Sequence, residues 1–321
     1  MAVTKPAAGP SRRQHHRVLQ QGRGQRRSRG QRRYRVQRPG YAWVAPAVVI
    51  SIGLLYFCLG DTAYTSTLQW DGVSPNPEHV GLRNYSELLH DPIFWRALRH
   101  CAVFLVITFT IQTSLGIAFA ALLHSRIRLA SLYKVIIFIP VVLAPSIMAP
   151  VFRLIFAADG QFNWVLRHIG LGFLAHPWLG DERTSLYVIM FIQVWEFTGL
   201  TFILYYGAMS QVDHSIIEAA RLDGAGNFRT LVSIVLPIVK GTTVALLMLS
   251  VIGALKIFDI PQLVTLGGPN YSSEFLSTYI YRHSIPLARV GFGAAASMVL
   301  LVLAVGFSMI FARLGRRGGD R

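Results

Sequence analysis

Four stretches of this chain, 42–60, 101–123, 135–152 and 291–312, contain no Asp, Glu, Lys or Arg. Each is close to the roughly 20 residues with which a helix crosses the hydrocarbon layer of a bilayer. Two more, 184–212 and 231–255, are interrupted by a single charge each, at Glu196 and Lys240. Lipid offers backbone amides no hydrogen-bond partner, so a spanning segment is a helix or a strand of a closed barrel, and these runs lack the two-residue alternation of barrel strands. The chain therefore reads as all-α, a polytopic membrane protein with six transmembrane helices at about 42–60, 101–123, 135–157, 185–211, 231–255 and 290–312. Composition agrees, since 53% of the 321 residues are hydrophobic and only 14% are charged.

Orientation follows from the basic residues outside the spans, because Lys and Arg are retained on the cytoplasmic side. The first 40 residues hold 12 Lys and Arg and no acid. Arg126, Arg128 and Lys134 lie between the second and third runs, Arg221 and Arg229 between the fourth and fifth, and Arg313, Arg316, Arg317 and Arg321 after the last. The alternate loops mix signs, with Asp61, Asp71, Glu78, Glu87, Asp91, Asp159, Asp181, Glu182 and Glu274 among them. Both termini are thus expected in the cytoplasm of a bacterium, with the six-helix domain at 41–315 in its inner membrane. The segment 1–40 reads as a disordered tail that fixes topology and touches anionic lipid headgroups, with nucleic acid as the weaker alternative. Residues 316–321 form a short second tail. The charged lead is long and no small-residue cleavage site follows 42–60, so this run is expected to remain as a span.

Cys58 and Cys101 each read as small apolar residues of a helix rather than as a disulfide. The ten histidines are scattered without metal-ligand spacing, and no G-x-x-x-x-G-K-[ST] phosphate loop occurs. No cofactor or metal is expected, and the chain cannot hold ATP by that route.

The loop at 213–230 is the most informative. Ser215 is placed to cap a short helix through Glu218, and Gly224 with Gly226 is placed to end it. A second helical run, from Asn227, leads into the fifth span. Such a compact protrusion suits docking into a partner.

Its residues carry a resemblance. Glu218-Ala219-Ala220-x-x-x-Gly224, followed by Ile234-x-Leu236-Pro237, resembles the EAA loop of binding-protein-dependent ATP-binding-cassette (ABC) importers. Asp223-Gly224-Ala225-Gly226 resembles the version in carbohydrate permeases related to the larger membrane subunit of the maltose importer. Gly81-Leu82-x-Asn84-Tyr85 with Asp91-Pro92-x-Phe94-Trp95 resembles the stretch before the second span of sugar permeases. Phe258-Asp259, Leu266-Gly267-Gly268-Pro269 and Thr278-Tyr279-Ile280-Tyr281 resemble their connection between the fifth and sixth helices. The likeness covers roughly 42–312, with one departure at Gly241, where many relatives have proline.

The resemblance implies the type I ABC-importer permease fold and a transport subunit without an ATPase site of its own. Glu218, Ala219, Ala220, Asp223, Gly224, Ala225 and Gly226 would form a coupling helix seated on a separate ATPase that binds the ATP. Glu218 would meet a basic group there, the two alanines would allow close approach, and Gly224 would supply the turn. The implied partners are a second permease subunit in a heterodimer, two ABC ATPase subunits and an extracytoplasmic solute-binding protein. The implied cargo is a sugar or oligosaccharide, with a glycerol-phosphate diester or other small solute as the alternative and a stand-alone secondary transporter as the more distant one. By offset from Glu218, the solute path would take in Gln193, Trp195, Glu196, Phe197, Ser250 and Gly253. Lys256 and Asp259, three apart, read as an i,i+3 surface pair, with a role towards the solute as the alternative.

Overall fold

The computed structural model describes residues 41–124 and 128–319. The predicted tail 1–40 and Arg126 lie outside the described residues. The chain divides into two units, 1–56 and 57–321, and the described part of the first is the opening of helix α1 (Tyr41–Thr65). From Val44 to Cys58 the side chains of α1 are exposed and nearly all apolar: Val49 is 68% accessible and Leu54 63%. A helix apolar all round belongs in lipid or against another subunit.

The second unit is helical but for a two-residue hairpin, β1 (Leu68–Gln69) paired antiparallel with β2 (Glu78–His79). Helices α2 (Arg83–His90), α3 (Pro92–His124), α4 (Ala130–Val142), α5 (Pro145–Ile155) and α6 (Gln161–His168) follow. Then come α7 (Ser185–Met209), α8 (His214–Leu222), α9 (Asn227–Ile238), α10 (Lys240–Lys256), α11 (Asp259–Val264), α12 (Leu276–Ser284) and α13 (Val290–Gly319).

Among the described residues, α1, α3, α7 and α13 are long and apolar enough to cross a membrane, as is α10 taken on through α11 to Val264, and a sixth span exists if α4 and α5 are counted together. The expected single helix at 135–157 is instead a pair bent by 95°. Ala144 explains the break: it precedes Pro145, and the proline ring pushes the preceding residue out of the helical region. Ala144 is accordingly extended at φ −69°, ψ 135°, and Pro145 opens α5 where its missing N–H costs nothing. The expected span at 231–255 is also divided. Residues 231–235 form a turn of π-helix ahead of Pro237, Val239 leaves the helical region at φ −88°, ψ 14°, and α10 begins at Lys240. Proline cannot donate to the preceding turn, and a local wide turn is how a helix accommodates that. Helix α3 begins nine residues before the charge-free stretch, and α13 runs on to Gly319.

The most buried span is α7, against which α3 and α4 pack. Glycines make the approach close. A methyl on Gly116 would lie 2.7 Å from Cγ2 of Thr201, and one on Gly199 would strike the Ile137 carbonyl. Small residues at such crossings replace the hydrophobic drive that lipid removes. The apolar core falls into two clusters, one around Phe94, Phe104, Ile189, Phe275 and Tyr279 towards the start of α7, and one around Ala120, Phe202, Tyr205, Val235 and Leu246 towards its end.

At the α7 N-terminal end the connecting segments are bound together by buried polar groups. Asn84 donates from Nδ2 to the Ser66 and Leu68 carbonyls, each at 2.9 Å. Tyr279 donates to Asp91 Oδ2 at 2.5 Å, joining two motifs far apart in sequence. Arg289 reaches both oxygens of Glu87 at 2.7 Å. Cys58 is exposed and Cys101 buried, both as free thiols.

Candidate coupling segment and solute cavity

Helix α8 begins one turn after α7 ends. Its N-cap is Asp213, not Ser215: Asp213 Oδ1 accepts from the Ser215 amide at 2.9 Å. That bond holds the Asp213 carboxyl below the usual carboxylate range. The C-terminus closes with two reciprocal bonds, Gly224 N–H to the Arg221 carbonyl at 3.0 Å and Ala225 N–H to the Ala220 carbonyl at 2.9 Å. This is the Schellman arrangement, and it needs a left-handed residue. Gly224 supplies it at φ +82°. Gly226 takes no part in that ending: it is the N-cap of α9, at φ −68°, ψ 164°.

The capped helix presents one face outward. Glu218, Ala219, Arg221 and Asp223 are exposed, whereas Ala220 is buried against the rest of the chain. Leu222 and Phe228 project apolar side chains at 89% and 79% accessibility. Glu218 makes no ion pair among the described residues.

Deep in α7 the structure places Glu196 at 4% accessibility, and its Oε2 has no hydrogen-bond partner. It lines a cavity of about 210 Å³ together with Gln193, Phe197 and Gly253. The cavity is completed by Pro145 at the start of α5 and by the end of α10 with the start of α11, including Lys256 and Asp259. Four of the six expected path residues are therefore brought together. Trp195 and Ser250 are not among the cavity's lining residues. Trp195 is 39% exposed and meets the Phe152 ring edge-on at 5.2 Å, because residues adjacent on a helix point about 100° apart. Ser250 is half-buried, three residues before Gly253.

The expected Lys256–Asp259 surface pair is also corrected. The ion pairs within 4.0 Å among the described residues are Arg282–Glu274 and Arg289–Glu87. Lys256 and Asp259 instead sit on the wall of the Glu196 cavity. Sequence reasoning gave them a solute role only as the alternative, because a spacing of three within one helix was assumed. In fact α10 stops at Lys256, Ile257 turns extended at ψ 123° and α11 starts at Asp259. The Phe258-Asp259 motif marked that turn.

Residues 112–317 match the profile of the family described as binding-protein-dependent transport system inner membrane component. The chain is 30% identical over 283 residues to "Probable ABC transporter permease protein YurN" of Bacillus subtilis, covering 87% of this chain and 97% of that one. It is 30% identical over 287 residues to "Lactose transport system permease protein LacF" of Rhizobium radiobacter, covering 87% and 95%. A chain in a crystal structure of a bacterial alginate ABC transporter in complex with alginate pentasaccharide-bound periplasmic protein superposes with a TM-score of 0.76. That match is 20% identical in sequence and covers 86% of this chain and 93% of that one. The fold is thus the type I importer permease fold. The chain belongs to the family of inner-membrane permease components of binding-protein-dependent ABC transport systems.

Proposed function

We propose that this chain forms half of the solute pathway of an ABC importer for a sugar or oligosaccharide and is driven through α8 by a separate ATPase. The observation that carries the reading is the outward face of α8, a short helix capped at both ends with the side chains of Glu218, Ala219 and Asp223 exposed. A rigid protrusion of this kind transmits a push as a body, which is the requirement for turning a helical bundle between inward- and outward-facing states. Exposed Leu222 and Phe228 beside it supply apolar area for a protein partner.

Two ATPase subunits would hold the ATP, a second permease chain would complete the pathway in a heterodimer, and an extracytoplasmic binding protein would deliver the cargo. The basic loops support a cytoplasmic position for α8 and for both termini. A saccharide cargo is supported by relatives named for such solutes and by a cavity of mixed character, with carboxylate and amide beside the apolar surface of Phe197 and Phe258. Glu196, Gln193, Phe197 and Gly253 would contact the cargo, and Trp195 and Ser250 would act from outside that wall.

Gly224→Asp tests the coupling. It adds a carboxylate beside Asp223 at the negative end of α8. Uptake by cells is expected to be lost while the variant still inserts in the membrane. Normal uptake, or solute transport by the purified chain in vesicles without ATP, would overturn the reading.

A further inference from the structure

We infer that the Glu196 cavity selects its cargo by charge, accepting hydroxyl-rich solutes that are neutral or carry an ammonium group and refusing those that carry a carboxylate, phosphate or sulfonate. The inference rests on the saccharide-import reading above and deepens it.

Three ionisable groups line the cavity: Glu196, Asp259 and Lys256. Two are carboxylates and one is an ammonium, so acidic groups outnumber basic ones on the wall. Neither carboxylate is within 4.0 Å of Lys256. Glu196 matters most because it is 4% accessible and its Oε2 meets no donor. A buried acceptor without a donor is costly, and a solute hydroxyl or ammonium placed against it removes the cost. A solute anion does the reverse, since it adds like charge at short range to a carboxyl that is itself buried.

The remaining lining fits the same ligand. Gln193 offers an amide that can donate and accept, and Phe197 and Phe258 offer apolar surface for a ring face. Gly253 leaves space: a methyl built on it meets nothing within 4 Å. The volume, about 210 Å³, suits one pyranose unit of a longer chain rather than a whole oligosaccharide. Selection would therefore act on the charge of individual sugar units as they pass.

The binding protein also selects cargo, so the test must bypass it. The assembled complex, purified without its binding protein, is titrated with three disaccharides of matched size: one neutral, one bearing an amine and one a uronate. Binding is followed by equilibrium dialysis for wild type, Glu196→Gln and Asp259→Asn. The wild type is expected to bind the uronate at least tenfold more weakly than the neutral sugar, about 1.4 kcal/mol. Glu196→Gln should narrow that gap to less than threefold, and Asp259→Asn should narrow it by a smaller factor. Equal binding of uronate and neutral sugar by the wild type would overturn charge selection and leave saccharide import standing, as would a gap unchanged in Glu196→Gln. Failure of all three sugars to bind would overturn the assignment of this cavity to the solute path, and the charge inference with it.

Discussion

The α carbon of Gly199 on α7 faces the backbone carbonyl of Ile137 on α4 so closely that a methyl group has no place between them: besides that carbonyl it would lie 3.0 Å from the Phe138 α carbon. Backbone atoms cannot swing aside as a flexible side chain would. Gly199→Ala is therefore expected to force the two helices apart, at a cost of about 1–3 kcal/mol, and Gly199→Leu to prevent α4 from docking. Thermal unfolding of the detergent-solubilised protein measures the first effect. Unchanged stability of Gly199→Ala would mean that α4 and α7 are not held at this distance.

Glu274 is buried completely, and its Oε2 receives Arg282 Nη2 at 2.7 Å. Burial pushes the Glu274 carboxyl up, and the guanidinium only partly offsets this. Removing the cation leaves a buried carboxylate with nothing to neutralise it. Arg282→Ala is expected to destabilise the end of the bundle that contains α12 by about 3–5 kcal/mol. The double variant Arg282→Leu with Glu274→Leu should recover much of that loss, because the desolvation penalty goes with the charge. Equal stability of the single and double variants would show that the loss comes from packing alone.

The spans were legible because lipid imposes a length and forbids charge, and both constraints are written in composition. The divisions within them were less so. The Ala144-Pro145 step that bends the third span and the Pro237 step that widens the turn before the fifth are both visible as prolines, yet an uncharged run was read as one helix through each. Proline position, not hydropathy, carried that information. At the site, the His214–Leu222 helix was legible through its caps, although Asp213 took the role expected of Ser215. The cavity was half legible: offset along α7 reached Glu196 and Gln193. Asp259 enters only because α10 ends at Lys256 and the chain turns back, a tertiary fact that spacing cannot express.

His283 gives a pH dependence outside the membrane-spanning helices. It is 8% accessible, its Nδ1 bonds the Tyr279 carbonyl at 2.9 Å and its ring packs 4.9 Å from that of Phe292. Burial lowers its pKa from the ordinary value of 6.5, opposed by that carbonyl and by Asp91. A depressed value in the folded state means that the unfolded chain binds the proton first. Stability from this group is therefore full above about 6.5 and falls as pH drops through the lower folded value. The unfolding temperature of the wild type is expected to fall between pH 7 and pH 5 more steeply than that of His283→Gln. Parallel curves for the two proteins would assign the acid sensitivity elsewhere.

Gly224 and Gly226 separate backbone from contact in the coupling segment. A methyl on either meets nothing within 4 Å, so neither glycine is there for space. Gly224 sits at φ +82° and Gly226 at φ −68°. Left-handed backbone costs an L-residue about 1–2 kcal/mol, least for Asn and most for a β-branched side chain. Uptake is therefore expected to decline in the order Asn, Ala, Val at position 224, tracking the loss of the turn that closes α8. Gly226→Ala carries no such backbone penalty and should leave the turn intact. If Gly226→Ala nonetheless abolishes ATP-driven uptake while amide exchange of α8 stays slow, the missing hydrogen at that site is needed for close approach of the ATPase. If uptake is normal, Gly224 acts through the backbone and the docking face ends before Gly226.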